Sequence, residues 1–154
     1  MLARRRRLLL IAVPGAVVFL AISLAVARFL TTEGRERDRV YALLRAEAAG
    51  DPGAVLARLD ACDAACAAKV RAFLPRLGAP GASPASVKIA RLDSQTSYSL
   101  GVSEGWSRVV WVRDVKARPV VQCVLVRRAG NPLTGRSVSL LRVSAPLADN
   151  QDPC

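Results

Sequence analysis

Four consecutive arginines, Arg4 to Arg7, stand directly before an apolar run that extends from Leu8 to Ala27 and closes on Arg28, Phe29 and Leu30. No other feature of the chain limits its fold as strongly. From Leu8 to Leu30, a helix rising ~1.5 Å per residue measures about 34 Å. That crosses a hydrocarbon core of about 30 Å with modest tilt. A lone segment has to be helical there, because lipid offers no partners to unpaired backbone groups. Pro14 and Gly15 fall early in the run, where membrane helices tolerate them.

The flanks set the orientation. The leading side carries four arginines and no acid, whereas Arg28, Glu33, Arg35, Glu36, Arg37, Asp38 and Arg39 nearly cancel on the trailing side. The positive-inside rule therefore puts the N-terminus in the cytoplasm and residues 31–154 outside, and the expected location is a bacterial plasma membrane crossed once. Residues 1–7 form a cytoplasmic basic segment, 8–30 the transmembrane helix and 31–154 an extracytoplasmic domain. Ala25-Val26-Ala27 is a small-x-small triplet of the kind signal peptidase cleaves, but the run from Leu8 to Leu24 is longer than a usual signal-peptide core and favours an uncleaved signal-anchor. No cysteine follows closely enough to be lipidated. Arg5-Arg6-Arg7-Leu8-Leu9 is similar to a twin-arginine export signal, although an arginine cluster reads first as a topology determinant.

The four cysteines, Cys62, Cys66, Cys123 and Cys154, all follow the apolar run. An even count in an exported region reads as two disulfides. A four-thiolate zinc site would show paired C-x-x-C knuckles, whereas here one pair is spaced C-x3-C and the others stand alone. Three pairings are possible. Cys62–Cys66 requires the chain to turn a corner between them, and would leave Cys123–Cys154 to tie the last residue back to a strand.

Beyond the anchor, residues 31–77 are rich in Ala, Leu and charge, and residues 86–145 in Val and Ser; Gly78-Ala79-Pro80-Gly81-Ala82-Ser83-Pro84 marks the seam as a loop. In the first half Val40, Leu43 and Leu44 form an apolar stripe at helical spacing that Gly50 stops. Asp51-Pro52 opens a second helix, with Val55, Leu56 and Leu59 as its buried face. Asp63 caps a third, in which Cys66, Val70, Phe73 and Leu77 recur on one side and Pro75 tightens or breaks the end.

The second half alternates as strands do, over 86–92, 96–102, 106–113, 119–128 and 137–144, with Asn131-Pro132 and Thr134-Gly135 turning between the last two. The predicted fold class is α+β: an N-terminal transmembrane helix, then about three short helices packed on a curved antiparallel sheet of four to five strands. Apolar residues occur at both parities of two strands. Val121, Cys123 and Leu125 oppose Val120, Val124 and Val126, while Val109 and Trp111 oppose Val110 and Val112. The sheet centre is thus expected to be covered on both sides. The order of elements resembles the cystatin-like and NTF2-like cones, whose sheets curl around an apolar cleft. Packing against a second copy or another protein, or simple coverage by helices and a loop, would serve equally.

Chemistry is harder to find. The chain has 154 residues and no histidine, which excludes Ser-His-Asp and Cys-His catalysis, histidine-held metal or haem, and an imidazole switch. Asp60 and Asp63 read as helix caps, Asp149 and Asp152 lie in a polar tail, and Glu104 and Asp114 flank a strand. Ser86 and Lys88 share a strand face without a supporting motif. There is no phosphate-binding glycine loop, so no catalytic residue, cofactor or metal is expected. Trp106, Trp111 and Tyr98 among valines read as core before they read as a ligand platform.

Lys+Arg total 23 against 12 Asp+Glu, a formal net charge of +11. In the sheet half Arg108, Arg113, Arg127, Arg128 and Arg136 are the candidate anion-binding residues, with Lys116, Arg118 and Arg142 nearby. Outside the cell such a surface suits anionic headgroups or a phosphate-bearing wall polymer. Nucleic acid is not expected there, and stacking aromatics are few.

A basic start, one membrane helix, further helix, a meander and a disulfide near the C-terminus resemble a type IV pilin. That family opens its apolar run with a Gly-Phe-Thr-Leu-x-Glu-like peptidase site; here the run opens Arg7-Leu8-Leu9-Leu10-Ile11, with no acid until Glu33. Gly105-Trp106-Ser107-Arg108, Pro119-Val120-Val121-Gln122-Cys123 and Gly135-Arg136-Ser137, closing on Cys154, are similar to uncharacterised single-pass bacterial envelope proteins, a resemblance that implies no activity. The expectation is a non-catalytic envelope binding or assembly module whose partners are the membrane and a second copy or another envelope protein. The alternative is a carrier holding a lipid or other hydrophobic small molecule in an apolar cleft of the curled sheet.

Overall fold

A computed structural model describes residues 2–78, 87–96, 101–113, 117–131, 135–148 and 154; for 2–12, 28–30 and 131 it describes the backbone alone. Helix α1 runs without interruption over Leu2–Ala48. The sequence predicts a membrane helix followed by a separate short helix around Val40, and the structure joins them. Between Leu30 and Val40 Gly34 is the poorest helix former, and one exposed glycine costs about 1 kcal/mol, too little to end a helix held at its far end by packing.

α1 stops where the sequence places the stop. Gly50 adopts φ 66°, the Gly50 N–H donates to the Glu47 carbonyl at 3.0 Å and the Asp51 N–H to the Ala46 carbonyl at 3.2 Å. This is the Schellman pattern, which a side chain at the left-handed position would strain. Asp51 then caps the short α2, Pro52–Leu56, by accepting the Ala54 N–H at 2.9 Å, with Pro52 at the first helical position. Asp63 caps α3, Ala64–Leu77, through the Cys66 N–H at 2.8 Å. Cys66, Val70, Phe73 and Leu77 face the core as expected, joined by Leu74. Pro75 does not break α3, which runs on to Leu77. The end of α3 abuts the end of α1 so closely that a Cβ on Gly78 would lie 2.5 Å from the carbonyl oxygens of Glu47 and Ala48. Only glycine fits there.

Strands β1 (Lys88–Ser94), β2 (Ser103–Val112), β3 (Val120–Asn131) and β4 (Gly135–Val143) form an antiparallel, curled meander in the order β1-β2-β3-β4. The expected strand over 96–102 is not seen among the described residues: Gln95, Thr96, Gly101 and Val102 are outside strands, and 97–100 lie outside the described set. So do Ser86, Asp114, Lys116, Asp149, Asp152, the seam from Ala79 to Pro84 and the turn residues 132–134.

Parity assigns the faces. Val109 and Trp111 of β2, Val124 and Val126 of β3, and Val138, Leu140 and Val143 of β4 are buried in one core with Val40, Leu43 and Leu44 of α1. On the outer face Val110 and Val121 are cross-strand partners, as are Trp106 and Leu125, and these four are half-buried. Cys154, bonded to Cys123 of this face, accounts for part of the cover expected there. Residues 144–147 continue alongside β3, with the Ser144 N–H donating to the Cys123 carbonyl and the Leu147 N–H to the Val121 carbonyl, both at 2.8 Å. The other disulfide is Cys62–Cys66, which closes the approach to α3. Both suit an oxidising compartment.

Candidate functional site: the junction of helix and sheet

The buried residues of α1 beyond the apolar run are Thr32, Glu36, Val40, Leu43, Leu44, Ala46, Glu47 and Ala48. Spacings of three and four bring Thr32, Glu36, Val40, Leu43, Leu44 and Glu47 onto one face. That face is apolar in the middle and carries a carboxylate towards each end.

At the end near the apolar run, Glu36 is 2% exposed and pairs with Arg128, itself 3% exposed. The Arg128 Nε–H donates to Glu36 Oε2 at 2.9 Å, and the adjacent Nη2 makes a second contact to the same oxygen. Ser107 Oγ donates to Glu36 Oε1 at 2.7 Å, and Arg128 Nη2 also reaches Ser94 Oγ at 3.1 Å. α1, β1, β2 and β3 therefore each contribute to one internal polar cluster. The pair is separated by 92 residues and shares a buried site, so its partners satisfy one another's desolvation; removing either leaves a buried charge alone.

At the other end the Trp111 indole N–H donates to Gln122 Oε1 at 2.7 Å, and Gln122 Nε2 is shared between the Ser144 carbonyl at 3.2 Å and Glu47 Oε1 at 3.5 Å. Glu47 Oε2 is buried without a hydrogen-bond partner among the described residues. Burial raises the Glu47 carboxyl from the usual carboxylate range to about 8, opposed weakly by Gln122. Glu47 is therefore a neutral acid through the neutral pH range, and this is what lets it sit fully buried beside Trp111 and Gln122.

The five candidate anion-binding arginines are not brought together. Arg128 shares its parity with Val124 and Val126, so it points at α1 and is committed to Glu36. Arg136 is on the same side, with its carbonyl accepting from Arg35 Nη1 at 3.0 Å. Arg127 is on the outer face and pairs with Glu104 at 3.3 Å. Arg108 is also outward, aligned with Asp93 and Cys123 across the sheet, with its Nε buried and without a partner among the described residues. Arg113 lies past the end of β2 and donates to the Leu77 carbonyl at 3.2 Å. Trp111 is wholly buried and Trp106 half-buried; Tyr98 lies outside the described residues.

Two grooves flank α1 just beyond the apolar run. One, of about 500 Å3, lies towards β1 and is lined by Glu33, Glu36, Arg37, Arg91, Leu92 and Arg128 among others. The other, of about 470 Å3, lies towards β4 between Arg35, Asp38, Arg39, Ser137 and Val138. Reading the charges from Glu33 to Arg39 as a self-cancelling flank misses these grooves. The helical spacing of Arg35 and Arg39 is a signal for the second groove alone.

No protein-family model, curated protein or solved structure matches the chain.

Proposed function

We propose that the protein is a membrane-anchored, extracytoplasmic binding or assembly module of the bacterial cell envelope, without catalytic activity. The observation that carries this reading is the continuity of α1. From Val13 to Ala27 the helix is apolar and exposed on every side, and from Thr32 to Ala48 the same helix is the spine of the α+β domain. It is the one described helix long and apolar enough to cross a membrane. An arrangement of this kind transmits the position of the anchor to the head with little bending, which suits a part that presents a surface at fixed height above a bilayer. Arg4 to Arg7 support a cytoplasmic N-terminus by the positive-inside rule, and the disulfides support an oxidising compartment for the head.

The surface on offer is the outer sheet face around Trp106, Val110 and Leu125, half-buried and flanked by Arg108 and Arg127. A second copy or another envelope protein fits it better than nucleic acid, because stacking aromatics are few. The carrier alternative, and with it the cystatin-like or NTF2-like cone, requires open apolar space inside the curl. It draws less support, since Val40, Leu43, Leu44, Trp111 and Val124 are packed there with essentially no exposure and both grooves beside α1 carry charged linings.

The test is site-specific photo-crosslinking in intact cells, with the reactive residue at Trp106 in one strain and Leu20 in another. Discrete protein adducts from position 106 support the assembly reading. Lipid adducts alone from both positions overturn it.

A further inference from the structure

We infer that the groove between α1 and β4 binds the phosphate of an anionic phospholipid headgroup from the bilayer that holds the anchor; the inference rests on the membrane-anchored reading above. Arg35 and Arg39 are four residues apart, hence on one helical face, and both line the groove with Asp38, Ser137 and Val138. The Arg35 Nη1 donates to the Arg136 carbonyl at 3.0 Å, which holds the guanidinium across the groove while its other N–H groups stay open to a ligand. Arg39 and Asp38 are exposed and make no ion pair with any described residue. Two guanidiniums offer a planar fork each to phosphate oxygens. The Asp38 carboxylate weakens the site for a bare polyanion, but accepts hydrogen bonds from hydroxyls on a headgroup such as glycerol.

Height along the helix selects the source of the phosphate. Arg35 follows Leu30 by five residues, about 7.5 Å at ~1.5 Å per residue, and a headgroup layer is about 5–8 Å thick on each side. Arg39 is one turn further out, yet side chains on a helix lean towards its N-terminus, here towards the bilayer. Its long stem reaches back as arginines do at interfaces. Each such cation near an anionic surface strengthens attraction on the order of fivefold.

The experiment uses the full chain reconstituted in nanodiscs of equimolar phosphatidylglycerol and phosphatidylcholine, with the lipid retained after mild detergent extraction counted by native mass spectrometry. Wild type is expected to retain phosphatidylglycerol several-fold over phosphatidylcholine, and the doubly substituted Arg35→Gln, Arg39→Gln protein to lose most of that preference while staying in the discs, the remainder belonging to Arg4–Arg7 at the opposite face. Both arginines are exposed, so the core is untouched; Arg71→Gln on α3 serves as the control that keeps the preference. An unchanged preference in the double variant, or none in wild type, overturns the headgroup site and leaves the anchor standing. Equal protection of the lipid-free protein by inorganic phosphate and by phosphatidylglycerol would assign a free-anion site and overturn it too. Failure of wild type to enter the discs removes the anchor and the headgroup site together.

Discussion

The two halves of α1 share one backbone and face opposite surroundings. From Val13 to Ala27 every described side chain is exposed and nearly all are apolar, including Val17, Phe19, Leu20 and Ile22, each more than half exposed. From Thr32 to Ala48 exposure alternates with helical period, and the buried positions include two carboxylates. Water would accept the second half and reject the first; lipid would do the reverse. The change from wholly exposed apolar positions to a docked face falls between Ala27 and Thr32. An apolar stretch is matched to its surroundings by composition alone, whereas the docked half is matched by specific partners such as Arg128 and Gln122. The two halves should therefore fail in different ways.

The largest effect is expected from charging the exposed apolar half. Val18→Asp with Ile22→Asp puts two carboxylates on one face, at about 2.5–3.5 kcal/mol each for a membrane helix centre. Carbonate extraction should move the protein from the membrane pellet to the soluble fraction, with both disulfides of the head still formed. A variant that stays in the pellet would mean that something other than this stretch holds the protein there.

The docked half answers to single partners instead. Arg128→Ala leaves Glu36 buried without its cation and should cost about 3–5 kcal/mol in denaturant unfolding. Replacing both residues, by Glu36→Leu and Arg128→Met, should recover most of that loss, because an apolar pair of similar size carries no desolvation penalty. If the double variant is as unstable as Arg128→Ala, the pair is holding more than itself in place. Membrane attachment should be unchanged in each case.

Glu47 sharpens the contrast through pH. Its carboxyl is raised in the fold to about 8 by burial, so between about 4.5 and about 8 the unfolded chain has released a proton that the folded chain keeps. Stability contributed by this group is therefore fully present below the unfolded value and declines as pH rises, by up to about 1.4 kcal/mol per unit, levelling above about 8. Glu47→Gln keeps the shape, removes that slope and should be the more stable protein at pH 8, by an amount on the order of a few kcal/mol. Parallel unfolding curves for the two proteins across pH 5 to 8 would show that Glu47 is not buried as an acid.

Much of this was legible because it is local. Gly50, Asp51-Pro52 and Asp63 each act within a turn of their own position, and all three hold in the structure. Strand parity also worked: Val109, Trp111, Val124 and Val126 fall on one face, and Val110, Val121, Cys123 and Leu125 on the other. What was missed is non-local or polar. Thr32 and Glu36 extend the buried stripe of α1 N-terminally from Val40, but a polar residue leaves no hydrophobic period to read, so the pattern alone starts a helix at Val40. Composition groups Arg128 with the other arginines of the sheet although its parity matches Val124 and Val126; that register argues for burial, yet only the fold supplies Glu36 as the reason a buried arginine is tolerable. Gln122 shares the same parity and was equally silent.

The smallest expected effect is at Gly34, between the two halves. A Cβ there would meet nothing within 4 Å, and the position is exposed and helical. Alanine should thus add about 1 kcal/mol, from the backbone freedom that glycine loses on folding and from better helix propensity. For a head of this size that corresponds to a rise of a few degrees in Tm, measured on the full chain in detergent. The value of the substitution lies in its sign. Stabilisation requires that residue 34 be helical in solution, as an unbroken α1 demands. If Gly34→Ala lowers Tm, the chain bends at residue 34, and the anchor and the head then move as separate bodies joined by a hinge.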